Sequence, residues 1–141
     1  MNGLDANYIA YDTTAVGMDV LLAYYFCDGG LYSVRYILNE DHSVDSLYID
    51  DYNTFKQALT NKYGEPLLDN EKWTSDSKKS FYADDKGRAL NYGYLSYYTC
   101  YITERVIVEM DMSADNDEVS TLINYTSLTV SPGETDFSED V

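Results

Sequence analysis

Basic residues are scarce in this chain of 141 residues. Nine Lys and Arg stand against 25 Asp and Glu, so the formal net charge is −16 and the pI lies near 4.1. Proteins bind nucleic acids largely by neutralising phosphates with Lys and Arg, and anionic lipids attract basic segments. The composition therefore argues against DNA, RNA and anionic membrane surfaces as partners.

Long apolar segments are also missing. The run Val20–Cys27 is among the longest, and it is far shorter than the roughly 20 residues that a bilayer-spanning helix needs. The first residues, MNGLDANYIAYD, have neither the basic region nor the apolar region of a secretory signal peptide. The sequence therefore predicts no membrane span and no signal peptide.

Cysteine and histidine are too few for most metal or nucleophilic centres. Cys27, Cys100 and His42 are widely separated and fit no zinc-ligand spacing. A catalytic arrangement such as Cys/His would have to use His42, which is expected in a solvated loop. We predict no catalytic residues and no cofactor. A disulfide between the two cysteines stays open, because it requires their strands to be neighbours.

Tyrosine is abundant, with 16 residues, and 45% of the chain is apolar. This content supports one packed core, so we predict a single domain over residues 1–130 and an acidic, flexible tail over 131–141. Acidic residues concentrate at both ends of the chain. Residues 1–55 hold nine acids and Arg35 as the sole base, whereas residues 56–88 hold six acids and seven bases. Cationic partners would therefore prefer the acidic flanks.

The segment around CDGG predicts a β-hairpin with its turn at Asp28-Gly29 or Gly29-Gly30. Both turns divide the side chains into the same two faces. The uncharged face, expected to be core, holds Leu21, Ala23, Tyr25, Cys27, Tyr32, Val34, Tyr36 and Leu38. The other face is nearly as apolar and holds Val20, Leu22, Tyr24, Phe26, Leu31, Ser33, Arg35 and Ile37. We expect this second face to need a cover or a partner.

After the hairpin the apolar spacing changes to that of a helix. The stripe consists of Val44, Tyr48, Tyr52, Phe55, Leu59 and Tyr63. Ser43 is the predicted N-cap, Gly64 the left-handed stop, and Pro66 prevents the helix from resuming. Residues 67–91 are polar and mixed, and three strands follow, with an ADNDE turn at Ala114–Glu118. The order βββ-α-βββ predicts an α+β fold: an antiparallel sheet of about six strands with one long amphipathic helix on one face.

Three short strings resemble uncharacterised exported domains or lipoproteins of Firmicutes. They are Lys62-Tyr63-Gly64-Glu65-Pro66 closing a helix, the following Trp73, and the late Ser113-Ala114-Asp115-Asn116 turn. The resemblance covers about residues 8–128. It implies an α+β fold and a secreted or cell-envelope location, and it carries no catalytic residues.

Carboxylates provide two candidate sites. Glu109 and Asp111 alternate on one strand face, about 7 Å apart, a separation used by inverting glycosidases. Asp111, Asp115 and Asp117 resemble the first ligands of an EF-hand, but the glycine and glutamate which that loop requires are replaced by Asn116 and Leu122. We therefore predict no metal site and keep these three aspartates as a weak calcium candidate.

Aromatic residues provide the candidate binding surfaces. Tyr24, Phe26 and Arg35 share the second hairpin face, where the guanidinium could lie flat on Tyr24. Tyr97 and Tyr101 are expected beside Glu109, an arrangement that suits a carbohydrate or a basic peptide. The alternative is that a second layer covers these faces, with Trp73 as a plug over the hairpin.

These observations favour a non-enzymatic binding or interaction domain of a bacterial secreted or cell-envelope protein. Its expected partner is another protein, most simply a second copy that docks on the apolar hairpin face. The alternative is a small carbohydrate-active hydrolase that uses paired carboxylates.

Overall fold

A computed structural model describes residues 7–27 and 30–128, and the side chains of all of these except residues 7, 27 and 30. The predicted turn at 28–29 and the predicted tail at 131–141 lie outside these residues. The elements are β1 (Asn7–Ala15), β2 (Met18–Cys27), β3 (Gly30–Leu38), α1 (Ser46–Tyr63), β4 (Leu68–Trp73), α2 (Asp76–Phe81), α3 (Lys86–Asn91), β5 (Leu95–Ile102), β6 (Val106–Asp115) and β7 (Glu118–Ser127).

The strands form one antiparallel sheet in the order β1-β2-β3-β7-β6-β5-β4. The α+β prediction is confirmed, with seven strands where about six were expected. The additional strand is β4, which lies in the polar and mixed segment 67–91, for which no strand was predicted. Its sequence, LDNEKW, has no apolar alternation, because it is an exposed edge strand that contributes little to the core.

The long helix α1 covers one face of the sheet. Tyr52, Phe55 and Leu59 are fully buried, which confirms the centre of the predicted stripe. The Tyr52 hydroxyl is 2.7 Å from Thr99 Oγ1 and donates to the Met110 carbonyl oxygen at 3.2 Å. Beneath the helix lie buried sheet residues, mainly Val20, Leu22, Val34, Tyr36, Tyr101, Val108, Met110, Met112, Ile123 and Tyr125. We call this the core face, and the opposite side of the sheet the outer face.

A β-bulge in the hairpin formed by β2 and β3 overturns the predicted division of its side chains between the two faces. Phe26 pairs with Leu31 as one predicted register requires, but Tyr25 pairs with Ser33, so Tyr32 is an extra residue. One inserted residue reverses which side chains share a face beyond the bulge. Val20 and Leu22, expected to seek a partner, are therefore core residues beside Val34 and Tyr36. Their cover is α1, and neither a second chain nor Trp73 is needed there.

The second correction concerns β5. If Ile102 and Val106 flanked the turn, as the sequence suggests, Tyr97 and Tyr101 would share a face with Glu109. Instead Ile102 pairs with Ile107, Tyr101 with Val108 and Thr99 with Met110, a register one residue away. Thr103 accounts for the shift, because its backbone N–H donates to the Val106 carbonyl and its side chain accepts from Val106 N, which fixes a four-residue turn. Tyr97, Thr99 and Tyr101 consequently face α1, and Tyr98 and Cys100 lie on the outer face.

The ends of α1 differ in part from expectation. The N-cap position is Asp45, which makes no side-chain capping hydrogen bond, so the predicted Ser43 cap is wrong. Gly64 ends the helix with a positive φ of 86°, as predicted, but its ψ of −169° places it outside the left-handed helical region. At the other predicted turn, Asn116 and Asp117 both have positive φ, as two-residue hairpin turns of type I′ require.

Two further expectations, on a membrane span and on a disulfide, are tested by the structure. No helix among the described residues is long and apolar enough to cross a membrane. Cys100 carries a free thiol, and its strand β5 is separated from the Cys27 strand β2 by three other strands. Strands lie about 4.8 Å apart, so the two cysteines are too distant for a disulfide within one chain.

Candidate functional site

The predicted site of Tyr24, Phe26 and Arg35 is divided between the two faces of the sheet. Tyr24 is half-buried against the core, and Phe26 is half-buried next to the bulge. Arg35 lies on the outer face, where its Nε donates to Asn124 Oδ1 at 3.0 Å and its guanidinium sits 4.6 Å from the centre of the Tyr25 ring. The expected stacking of Arg35 on Tyr24 is therefore wrong, and Tyr25 takes that role.

Tyr97 and Tyr101 do not form an exposed aromatic surface. Tyr101 is buried, with its hydroxyl 2.8 Å from Thr60 Oγ1 and donating to the Lys56 carbonyl at 3.1 Å. The half-buried Tyr97 ring packs 5.4 Å from Tyr52. Both residues fasten the sheet to α1, so the predicted aromatic binding surface at these positions is a structural contact.

The two paired carboxylates, Glu109 and Asp111, share the outer face as predicted. Glu109 accepts a hydrogen bond of 2.7 Å from the Tyr98 hydroxyl. Partial desolvation raises the pKa of the Asp111 carboxyl, and the nearby Glu109 charge raises it further. Asp111 nevertheless remains exposed on an open strand surface. A carboxyl with a raised pKa is thus present, but it lies on an exposed face and not inside a cleft.

Metal ligation finds no support. In the parts of the chain that the structure describes, no group of three or more His, Cys, Asp or Glu side chains could hold a metal ion. Asp111, Asp115 and Asp117 therefore do not form the weak calcium site considered above, because β6 carries the first two along an extended strand and Asp117 belongs to the turn. His42 Nε2 lies 2.5 Å from Asp51 Oδ2, and the Tyr48 hydroxyl accepts from the His42 backbone N–H, so this histidine orders the loop before α1.

The strongest candidate for a binding surface is the β1 edge, the side of Asn7–Ala15 that faces away from β2. Within the described residues β1 pairs only with β2, so alternate backbone N–H and C=O groups point outward. Tyr8, Ile9 and Tyr11 are 62%, 59% and 46% exposed. Asp12 is the single charged residue of this nine-residue strand. A long, apolar and unpaired edge is a template for another strand.

The exposed side chains of β1 are held in place by β2. The Tyr8 and Tyr25 rings stack with their centroids 5.5 Å apart, and the Arg35 guanidinium lies over the Tyr25 ring. These three side chains form a row on the outer face. On the core face, Ile9 is opposite Tyr24, and the Tyr11 ring lies 6.2 Å from the ring of Tyr24. A strand added to β1 would meet positioned side chains on both faces.

The other edge of the sheet, β4, is built differently. It carries Asp69, Asn70, Glu71 and Lys72 in succession. Lys56 of α1 binds Asp69 at 3.2 Å, and Lys86 at the start of α3 binds Glu71 at 2.6 Å. Charged residues and bridging side chains discourage strand pairing. The β1 edge, by contrast, carries Asp12 as its single charge and has no bridging ion pair among the described residues.

Acidic groups surround the end of the sheet to which β1 leads. Asp12 lies on β1, and Asp19 of β2 pairs with Thr14 of β1. The Glu40 carboxylate accepts from the Asp19 backbone N–H at 2.7 Å. Beyond them, Glu40, Asp41, Asp117 and Glu118 line a concavity of about 350 Å³.

The sequence YIAYDT predicts a strand over Tyr8–Thr13, the first of the three strands before the helix, but does not single it out as a site. The available signal was its low charge, one acid in nine residues, next to exposed tyrosines. Strand order decides which strand is at an edge, and the sequence alone did not provide it. No protein-family model, no curated protein and no solved structure matches this chain, so the site is assigned from its geometry.

Proposed function

We propose that the protein is a non-enzymatic interaction domain that binds an extended segment of another polypeptide along β1. The observation that carries this proposal is the contrast between the two edges. β4 is charged and bridged, whereas β1 is long, has a single charged residue, exposes apolar side chains and, within the described residues, has no partner on its outer side. In strand addition, backbone hydrogen bonds supply affinity and alternate side chains supply specificity.

The ligand's side chains would meet two different surfaces. On the core face they would lie beside Ile9 and Tyr11, beyond the reach of α1. On the outer face they would lie beside Tyr8 and Asp12. Removing this exposed apolar area from water contributes roughly 25 cal/mol for each Å², and the entropy lost on association and on ordering the peptide opposes this gain.

The experiment is a selection of nine-residue peptides from a random library on the purified protein. We expect selected peptides to have alternating β-branched or aromatic residues and no central proline. Their binding should be lost in Ile9→Lys/Tyr11→Lys, because edge lysines oppose strand pairing. The matched control, Leu68→Lys/Asn70→Lys, adds the same charge to the β4 edge and should retain binding. Selected peptides that bind both variants equally would refute the proposal.

The remaining functional expectations stay predictions. The secreted or cell-envelope location is one of them, and the hydrolase alternative is another. Asp111 has the raised carboxyl pKa that such a hydrolase needs, but its open position offers no enclosure for a sugar ring.

A further inference from the structure

We infer that the segment bound at β1 is cationic, with Lys or Arg on its outer-face side and β-branched or apolar residues on its core-face side. This inference rests on the proposed strand addition and specifies the chemistry of the partner. Three observations carry it: the acids near this edge, the contacts that Arg35 makes, and the row of aromatic rings that ends at Tyr8.

Three acids lie toward the end of the sheet where β1 turns into β2: Asp12, Asp19 and Glu40. Asp12 lies on the outer face of β1, because it is paired with the outer-face residue Leu21. β1 itself contains no Lys or Arg. Arg35 is the sole base among residues 1–55. Its side chain contacts Asn124 and the Tyr25 ring, and within the described residues it forms no salt bridge with these acids.

The row of rings on the outer face provides a place for a second cation. Arg35, Tyr25 and Tyr8 follow one another across β3, β2 and β1, and Tyr8 is 62% exposed at the end of this row. A Lys or Arg on the added strand could lie over the free side of the Tyr8 ring and approach Asp12, which combines a cation–π contact with charge attraction.

The core-face side requires the opposite character. Ile9 and Tyr11 lie there with Tyr24, and no acid of β1 shares this face, because Asp12 belongs to the outer side. Successive residues of a strand alternate between faces, so the fitting ligand alternates cationic and β-branched residues. A second copy of this chain is a poor occupant, because two molecules of net charge −16 repel each other.

The experiment compares two nine-residue peptides, which differ only in having Lys or Glu at the odd positions, with Val and Thr at the even positions. Fluorescence anisotropy with labelled peptide measures Kd at low and at physiological salt. We expect the Lys peptide to bind at least tenfold more tightly than the Glu peptide, and to weaken as salt rises. A Lys peptide with proline at its centre should not bind, because proline cannot donate to the ladder.

Charge-neutralised variants locate the attraction. Asp12→Asn/Asp19→Asn/Glu40→Gln should weaken Lys-peptide binding about fivefold, since three exposed charges that attract the peptide are removed. The control Asp50→Asn/Asp84→Asn/Glu104→Gln changes the net charge equally at exposed positions elsewhere and should weaken it far less. Equal weakening by both variants would overturn a local acidic site.

The other outcomes separate this inference from the proposed function. Lys and Glu peptides that bind equally, and are both lost in Ile9→Lys/Tyr11→Lys, would overturn the cationic partner and leave strand addition in place. If the wild-type protein is a dimer in sedimentation velocity and Ile9→Lys/Tyr11→Lys is a monomer, the occupant of β1 is a second copy of the chain. That result would overturn the cationic partner. Failure of both peptides, together with an empty library selection, would overturn both proposals.

Discussion

At the scale of single residues, backbone conformation decides what position 64 tolerates. Gly64 combines φ of 86° with ψ of −169°, a region essentially restricted to glycine. A Cβ at this position would meet no heavy atom within 4 Å, so any cost of a side chain arises from the backbone alone. Helix α1 therefore depends on Gly64 for the way it ends.

Gly64→Ala is accordingly expected to lower the free energy of unfolding by about 1–3 kcal/mol. Urea denaturation followed by circular dichroism measures the change. The neighbouring exposed substitution Glu65→Ala should stay within about 0.5 kcal/mol of wild type. Equal stability of the two variants would contradict the assigned conformation of Gly64.

Asp111 gives a prediction that depends on pH. Desolvation and the Glu109 charge raise its pKa in the folded protein, so the native state holds this proton more tightly than the unfolded chain does. The ionised carboxylate therefore destabilises the fold above the raised pKa, and this effect disappears as pH falls below the ordinary value for aspartate. Asp111→Asn should raise the melting temperature at pH 7, and the gain should vanish near pH 3. A gain that is independent of pH would contradict this cause.

At the scale of elements, α1 is held by the three buried residues of its stripe. Leu59→Ala should lower the free energy of unfolding by about 2–5 kcal/mol, because the removed atoms leave a cavity between helix and sheet. Gln57→Ala, an exposed position two residues earlier, is the control and should change it by less than about 0.5 kcal/mol. Urea midpoints of the two variants decide the matter, and a Leu59→Ala protein as stable as its control would be incompatible with this packing.

The β1 edge should be dispensable for folding. Ile9 and Tyr11 are 59% and 46% exposed and lie outside the buried core, so Ile9→Lys/Tyr11→Lys should cost less than about 1 kcal/mol in urea and leave the circular dichroism spectrum unchanged. Loss of cooperative unfolding in this variant would mean that β1 is needed for the fold, in which case its exposure is no sign of a binding role.

Several elements were predictable because local patterns determine them. The spacing of Tyr52, Phe55 and Leu59 predicted the helix, and Asn116 with Asp117 tolerate the positive φ of their turn. The bulge at Tyr32 was not predictable, because one inserted residue leaves composition and alternation almost unchanged while exchanging the two faces. The candidate site was missed for a related reason: edge position is a property of the whole sheet.

At the scale of the whole molecule, the sheet has two unlike edges. β4 belongs to the segment in which bases balance acids, and its side chains are tied to α1 and α3. β1 belongs to the acidic flank, carries one charged residue, Asp12, and exposes Tyr8, Ile9 and Tyr11. Since an unprotected edge is normally eliminated in stable proteins, its presence on one side alone is the basis for assigning binding to it.

Amide hydrogen exchange, resolved by residue, tests this assignment most directly. The wild-type protein is compared with and without the nine-residue Lys peptide. The account predicts that bound peptide slows exchange at the β1 amides that point away from β2, because they become hydrogen-bonded, and leaves β4 amides unchanged. Unchanged exchange along β1 with peptide bound, or equal slowing at β4, would contradict the claim that β1 is the binding edge.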